Sequence, residues 1–169
     1  MSETPAIRGD QARVSALVRV PREVAFQVFT EDIDRWWRRG LKYRVAGAAR
    51  GFIHLEPRVG GRLFESFDVG AERRIFETGT VTVWEPPARL VFSWRASNFA
   101  PHEETEVEVL FQESASGTLV TVTHRGWAKL RPDHPVRHGL DVTAFVRMNG
   151  LWWGDQMASL REVAEGARE

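Results

Sequence analysis

Carboxylates on strand-like segments, a few histidines and seven tryptophans are the side chains of this sequence that could do chemistry. Glu65 shares alternation parity with Leu63 and Phe67, and Glu77 shares it with Ile75, Val81 and Val83. If both segments keep that register, two carboxylates face one interior from neighbouring strands. Repulsion and desolvation then raise at least one pKa, as acid–base catalysis requires. Arg62, Arg73 or Arg74 could neutralise the pair instead, and a partly solvated strand end is the plainer reading. His124 stands on the apolar side of "TLVTVTHRGW" with Val120 and Val122. It is expected to point inward as a hydrogen-bonded core residue, with ligand contact or proton acceptor as its other roles. His134 and His138 lie four apart around Pro135 with no third ligand in view, and read as a solvated loop. Ser93 and Ser97 have no adjacent histidine, and no phosphate loop, nucleotide fingerprint or nucleophile elbow occurs. No catalytic residue, metal site or cofactor is assigned.

The tryptophans hold most of the remaining information. Trp36 and Trp37 close a short helical segment, Trp94 ends an alternating strand, and Trp127, Trp152 and Trp153 come late in the chain. Each buries a large area and needs a partner for its indole N–H, which core or ligand can supply. Trp84 has the opposite parity to Val81 and Val83 and is expected on an outer face.

The elements that must position these residues follow from periodicity. Residues 1–10 read as a flexible tail and residues 11–169 as a single domain. "ARVSALVRV" alternates as a strand, and Pro21 ends it at a helix start. "REVAFQVF" and "TEDIDRWW" read as two short helices. Alternating segments then follow, including hairpins turning at 85–87 and 115–117. From about 138 to 165 one helical stripe carries Val142, Val146, Asn149, Trp153, Met157, Leu160 and Ala164. Gly150 and Gly154 sit inside it and either admit close backbone approach or leave space. Without strand–helix–strand alternation the sheet is expected to be antiparallel, six- or seven-stranded, in an α+β fold.

This order, with "VPREVAFQVFTEDIDRWW", "VGGRLFESF", "GTVTVWEPPARLVFSW" and "TLVTVTHRGW", resembles the START-related (SRPBCC) superfamily. Within it the motifs are similar to the family named for activators of the heat-shock-protein-ninety ATPase. The resemblance covers roughly residues 12–165, with "GLWW" near 150 as a departure from the family pattern. It implies a helix-grip fold, a curved sheet wrapped around the C-terminal helix. Leu90, Phe92 and Trp94 should then face Val146, Trp153 and Leu160 across a space that in relatives holds an apolar or aromatic molecule. The implied ligand-binding residues are Trp36, Trp37, Glu65, Glu77, Phe92, Trp94, His124, Asn149 and Trp153. The leading function is noncatalytic binding of a small hydrophobic molecule. A polyketide-cyclase or hydrolase-like enzyme using His124 or Glu77 as base, and a co-chaperone role in stress response, are the alternatives.

Composition narrows the partners. Lys+Arg and Asp+Glu are both 23, so the formal net charge is zero and no basic footprint for nucleic acid or membrane appears. The absence of cysteine suits a reducing compartment, and the polar start suits a cytoplasmic protein. A homodimer stays open, and a chaperone partner has little support from the charge pattern.

Overall fold

β-Branched and aromatic residues alternating with polar ones form seven strands in the computed structural model, which describes residues 10–46 and 51–166. The strands are β1 (Ala12–Val18), β2 (Gly51–Leu55), β3 (Arg62–Val69), β4 (Glu72–Glu85), β5 (Arg89–Trp94), β6 (Thr105–Ser114) and β7 (Gly117–Arg125). All pair antiparallel, in the order β1-β7-β6-β5-β4-β3-β2. Helices α1 (Arg22–Thr30) and α2 (Ile33–Trp36) lie between β1 and β2 in sequence, and α3 (Val142–Gly166) ends the fold. Asp141 caps α3 by accepting the Ala144 N–H at 2.8 Å. The α+β helix-grip architecture expected from the sequence is the one observed. The proposed tail lies outside the described residues except for Asp10.

Cross-strand rows show how the interior is built. Val81 pairs with Phe92, Phe92 with Val107, and Val107 with His124. Trp84 likewise pairs with Leu90, which pairs with Val109, which pairs with Val122. Phe92, Val107, Leu90 and Val109 are fully buried, and from α3 Trp153, Met157 and Leu160 close against this core.

Strand β4 departs from simple alternation twice. Leu63 pairs with Gly79 but Phe64 with Glu77, which leaves Thr78 as an extra residue. Val81 pairs with Phe92 but Val83 with Val91, leaving Thr82 extra. Each bulge reverses which side chains face inward. Gly79 suits the first bulge because a Cβ there would stand 1.6 Å from the Ser93 carbonyl oxygen. Two expectations are corrected as a result. Glu77 faces outward with Ile75, and Arg62 pairs with it at 3.4 Å. Trp84 turns inward and packs edge-on against Phe26 at 5.1 Å.

Gly150 and Gly154 do not serve close packing, since a Cβ on either would meet nothing within 4 Å. No helix among the described residues is long and apolar enough to cross a membrane.

Candidate ligand cavity

The C-terminal half of α3 fills the space under the sheet, whereas its N-terminal half does not. A cavity of about 610 Å³ remains there. Ile53, Glu65 and Phe76 form one inward row across β2, β3 and β4, with Leu63 and Thr78 beside it. Phe145, Met148, Asn149 and Trp152 form the wall contributed by α3. Trp37 and Trp94 stack between the two walls, their rings 5.7 Å apart and 20° from parallel. Trp152 meets both edge-on, also at 5.7 Å.

The segment after α2 closes one side. Tyr43 donates from its hydroxyl to Asp155 on α3 at 2.9 Å, and Lys42 pairs with the same carboxylate at 3.5 Å. The Tyr43 bond and the nearby ammonium hold the Asp155 carboxyl below its ordinary pKa. Trp152 donates its indole N–H to the Lys42 carbonyl at 2.7 Å, and Trp37 donates to the Tyr43 carbonyl at 3.0 Å. From the sheet, the Glu65 carboxylate accepts the backbone N–H groups of Val45 at 2.9 Å and Ala46 at 3.2 Å. Arg44 is buried, and its guanidinium pairs with Asp34 at 2.8 Å. The cavity's rim is apolar and open: Leu41 is 86% exposed and Leu151 70%, with Val45 and Met148 beside them.

His124 lies behind this cavity rather than on its wall. Trp153 donates its indole N–H to Nδ1 at 3.0 Å. The imidazole proton is therefore on Nε2, which donates to the Thr105 hydroxyl oxygen at 2.7 Å. Full burial pushes the His124 pKa down to about 3, so the ring is neutral near pH 7. Its only free lone pair is already used, which leaves no acceptor for a substrate proton.

Of the ligand-binding residues that the resemblance implies, Trp37, Glu65, Trp94 and Asn149 line the cavity, as do Trp127 and Trp152 among the other tryptophans. Trp36, Phe92 and Trp153 are fully buried in the adjoining core, and Trp36 donates its N–H to the Phe29 carbonyl at 3.1 Å. Glu77 is on the opposite face of the sheet. His134 also departs from expectation. It is 1% exposed, takes the Val136 N–H on Nδ1 and donates from Nε2 to Glu103 at 3.1 Å. The peptide turn at Pro135 brings that N–H to it, so the residue caps a turn instead of facing solvent. No group of three or more His, Asp or Glu among the described residues is arranged to hold a metal ion.

Sequence reasoning missed Phe76, Thr78 and the segment from Leu41 to Val45. The first two became inward only through the bulge, and Gly79 was its one local signal. Segment 41–45 has no periodicity to read, although it holds the chain's one tyrosine.

The profile of the family described as Activator of Hsp90 ATPase homolog 1-like protein matches residues 19–148. Several solved structures share the fold. A Staphylococcus aureus protein of unknown function superposes with a TM-score of 0.67 at 13% identity, over 94% of this chain and 94% of its own. A Nitrosomonas europaea protein does so at 0.63 and 15% identity, over 97% and 99% respectively. DynU16, from the dynemicin biosynthetic locus, gives 0.60 at 21% identity over 92% of this chain. This chain spans 47% of the DynU16 chain, and at such identities the likeness is one of fold. No curated protein matches by sequence.

Proposed function

The chain belongs to the Activator of Hsp90 ATPase homolog 1-like family, and from that premise we propose that it binds a small hydrophobic or aromatic molecule between sheet and helix. The observation carrying this reading is the cavity of about 610 Å³ bordered by Trp37, Trp94 and Trp152. That volume falls in the usual range for small-molecule sites, roughly 300–1,000 Å³. The indole N–H groups of Trp37 and Trp152 are spent on backbone carbonyls, so these rings offer a ligand mainly stacking and edge contacts. The partner in this reading is a small molecule, not nucleic acid or membrane, which the zero formal net charge supports; the setting in this reading is cytoplasmic.

The enzymatic alternative draws on DynU16's origin in a biosynthetic locus. Geometry gives it less: the Glu65 carboxylate is held by two backbone N–H groups, His124 is walled off, and Glu77 faces out. A protein-binding role of the kind in the family's name would draw on exposed Leu41, Val45, Met148 and Leu151. Their place on the cavity's own rim favours ligand entry.

N-phenyl-1-naphthylamine, a neutral apolar dye, tests the proposal. Its emission should rise and saturate at one dye per chain. Thr78→Phe, which projects a ring into the cavity from the sheet, should abolish the signal while the chain stays folded. No saturable emission, or undiminished binding to a folded Thr78→Phe chain, would contradict it.

A further inference from the structure

The cations that line the cavity differ in what balances them. Lys42 is paired with Asp155 and Arg44 with Asp34, so each brings its own counter-charge. Arg95 does not. It follows Trp94 at the end of β5, is half-buried, and has no carboxylate in ion-pairing reach among the described residues. Its main-chain N–H goes to the Thr78 carbonyl at 2.7 Å, and Nη2 donates to the Ala100 carbonyl at 2.7 Å. Nε and Nη1 make no hydrogen bond with the described protein, yet neither is fully buried. Glu103, in the same loop, is already committed to the Ala100 N–H at 2.7 Å and to His134 at 3.1 Å.

A second guanidinium deepens the imbalance. Ala96 and Val136 pack on one small core of Phe99, Trp127, Leu130 and Phe145, which brings the end of β5 against the turn at Pro135–Arg137. Arg137 is 5% exposed and gives Nη2 to the carbonyls of Trp127 and Leu130 at 2.7 and 2.9 Å. It too has no carboxylate partner among the described residues, although buried charges are ordinarily paired. Its neighbours Val136 and His138 line the cavity. Two positive groups without counter-ions therefore stand at one end of a mostly apolar space. The one carboxylate on the wall, Glu65, already accepts two backbone N–H groups.

We propose that Arg95 anchors an anion subsite at this end of the cavity, so that the ligand is an aromatic anion, a carboxylate or a phosphate ester. The assignment rests on the binding function proposed above and narrows its ligand class. With one Nη2 hydrogen spent on Ala100, one two-pronged edge of the guanidinium is still free, and it matches two oxygens of such a group. Trp37, Trp94 and Trp152 hold the ring, while Arg137 adds its charge through space.

Matched naphthalenes test this: 2-naphthoate, 2-naphthyl phosphate and neutral 2-naphthamide, titrated calorimetrically at pH 7. At least one anion should bind the parent chain about tenfold or more tightly than the amide, and the tighter of the two identifies the headgroup. Arg95→Gln should bring that anion to the level of the amide and leave the amide unchanged. Arg95→Lys, with the charge but no fork, should keep a smaller preference. Arg13→Gln, which removes an exposed cation on β1, should keep all of it. Neither anion exceeding the amide would overturn the assignment while the general binding function stands. So would a preference that survives Arg95→Gln, is undiminished in Arg95→Lys or is lost in Arg13→Gln. Loss of amide and anion together in Arg95→Gln would instead mark Arg95 as a brace for the loop at Ala100, and would also overturn it. Tighter binding of 2-naphthylmethylamine than of either anion would do so in favour of Glu65. Failure of every one of these probes, and of naphthalene, to bind would remove the binding function itself.

Discussion

Trp153, His124 and Thr105 form a buried relay of hydrogen bonds in which a histidine serves structure rather than chemistry. The folded-state pKa of His124 is depressed to about 3, below its ordinary 6.5, so the unfolded chain binds the extra proton between those values. Its contribution to stability is therefore complete above about pH 6.5 and is lost progressively as pH falls toward 3. Each unit in that window removes up to about 1.4 kcal/mol. His124→Gln can still accept from Trp153 and donate to Thr105, yet it has nothing to titrate. Urea denaturation at pH 7 and pH 5 should show the parent losing up to about 2 kcal/mol more than His124→Gln over that interval. Equal losses would mean that the ring is protonated without unfolding. The inward orientation of His124 was legible from its parity with Val120 and Val122. Its separation from the cavity was not, because that depends on Trp94 and Trp127, which line the cavity and pack against the imidazole ring.

At the scale of elements, the bulged strand β4 and the helix α3 decide what each face presents. Trp153 is fully buried on α3, while Trp84 is half-buried beside Phe26 at the end of β4. Trp153→Ala should cost about 3–5 kcal/mol in chemical denaturation. Trp84→Ala should cost clearly less than that, yet more than the roughly 0.5 kcal/mol typical of surface changes. A surface-like value for Trp84 would restore the outward placement that simple alternation implies. Strands, hairpins and the long helix were readable because each repeats its period over enough residues. "TEVEVLF" places Val107, Val109 and Phe111 inward, and all three are buried. The errors at Glu77 and Trp84 share one cause. Parity was carried through residues 78 and 82, where a single inserted residue reverses it. Alternation alone does not reveal an insertion; Gly79, with no side chain to obstruct β5, is the trace it leaves.

For the whole molecule, the question is why one half of the sheet–helix interface is packed and the other open. Bulky residues meet bulky residues beneath β5–β7, where Phe92 and Phe111 face Trp153, Met157 and Leu160. Toward β2–β4 the sheet offers Ile53, Leu63 and Thr78, and α3 offers Asn149 and Met148, which together leave the space unfilled. The segment from Leu41 to Ala46 is pinned across it by Tyr43, Lys42 and Glu65. The sequence carried the prospect of such a space through its tryptophans, but a volume is a sum over side chains from segments spread along the chain from Trp37 to Trp152. A crystal structure of the complex with N-phenyl-1-naphthylamine measures the central claim directly. The account predicts dye density between Trp94 and the α3 wall of Phe145, Asn149 and Trp152, with the core around Trp153 unchanged. Dye density confined to the groove of Trp84, Pro86 and Pro87 at the other end of the sheet, with the cavity collapsed, would contradict it.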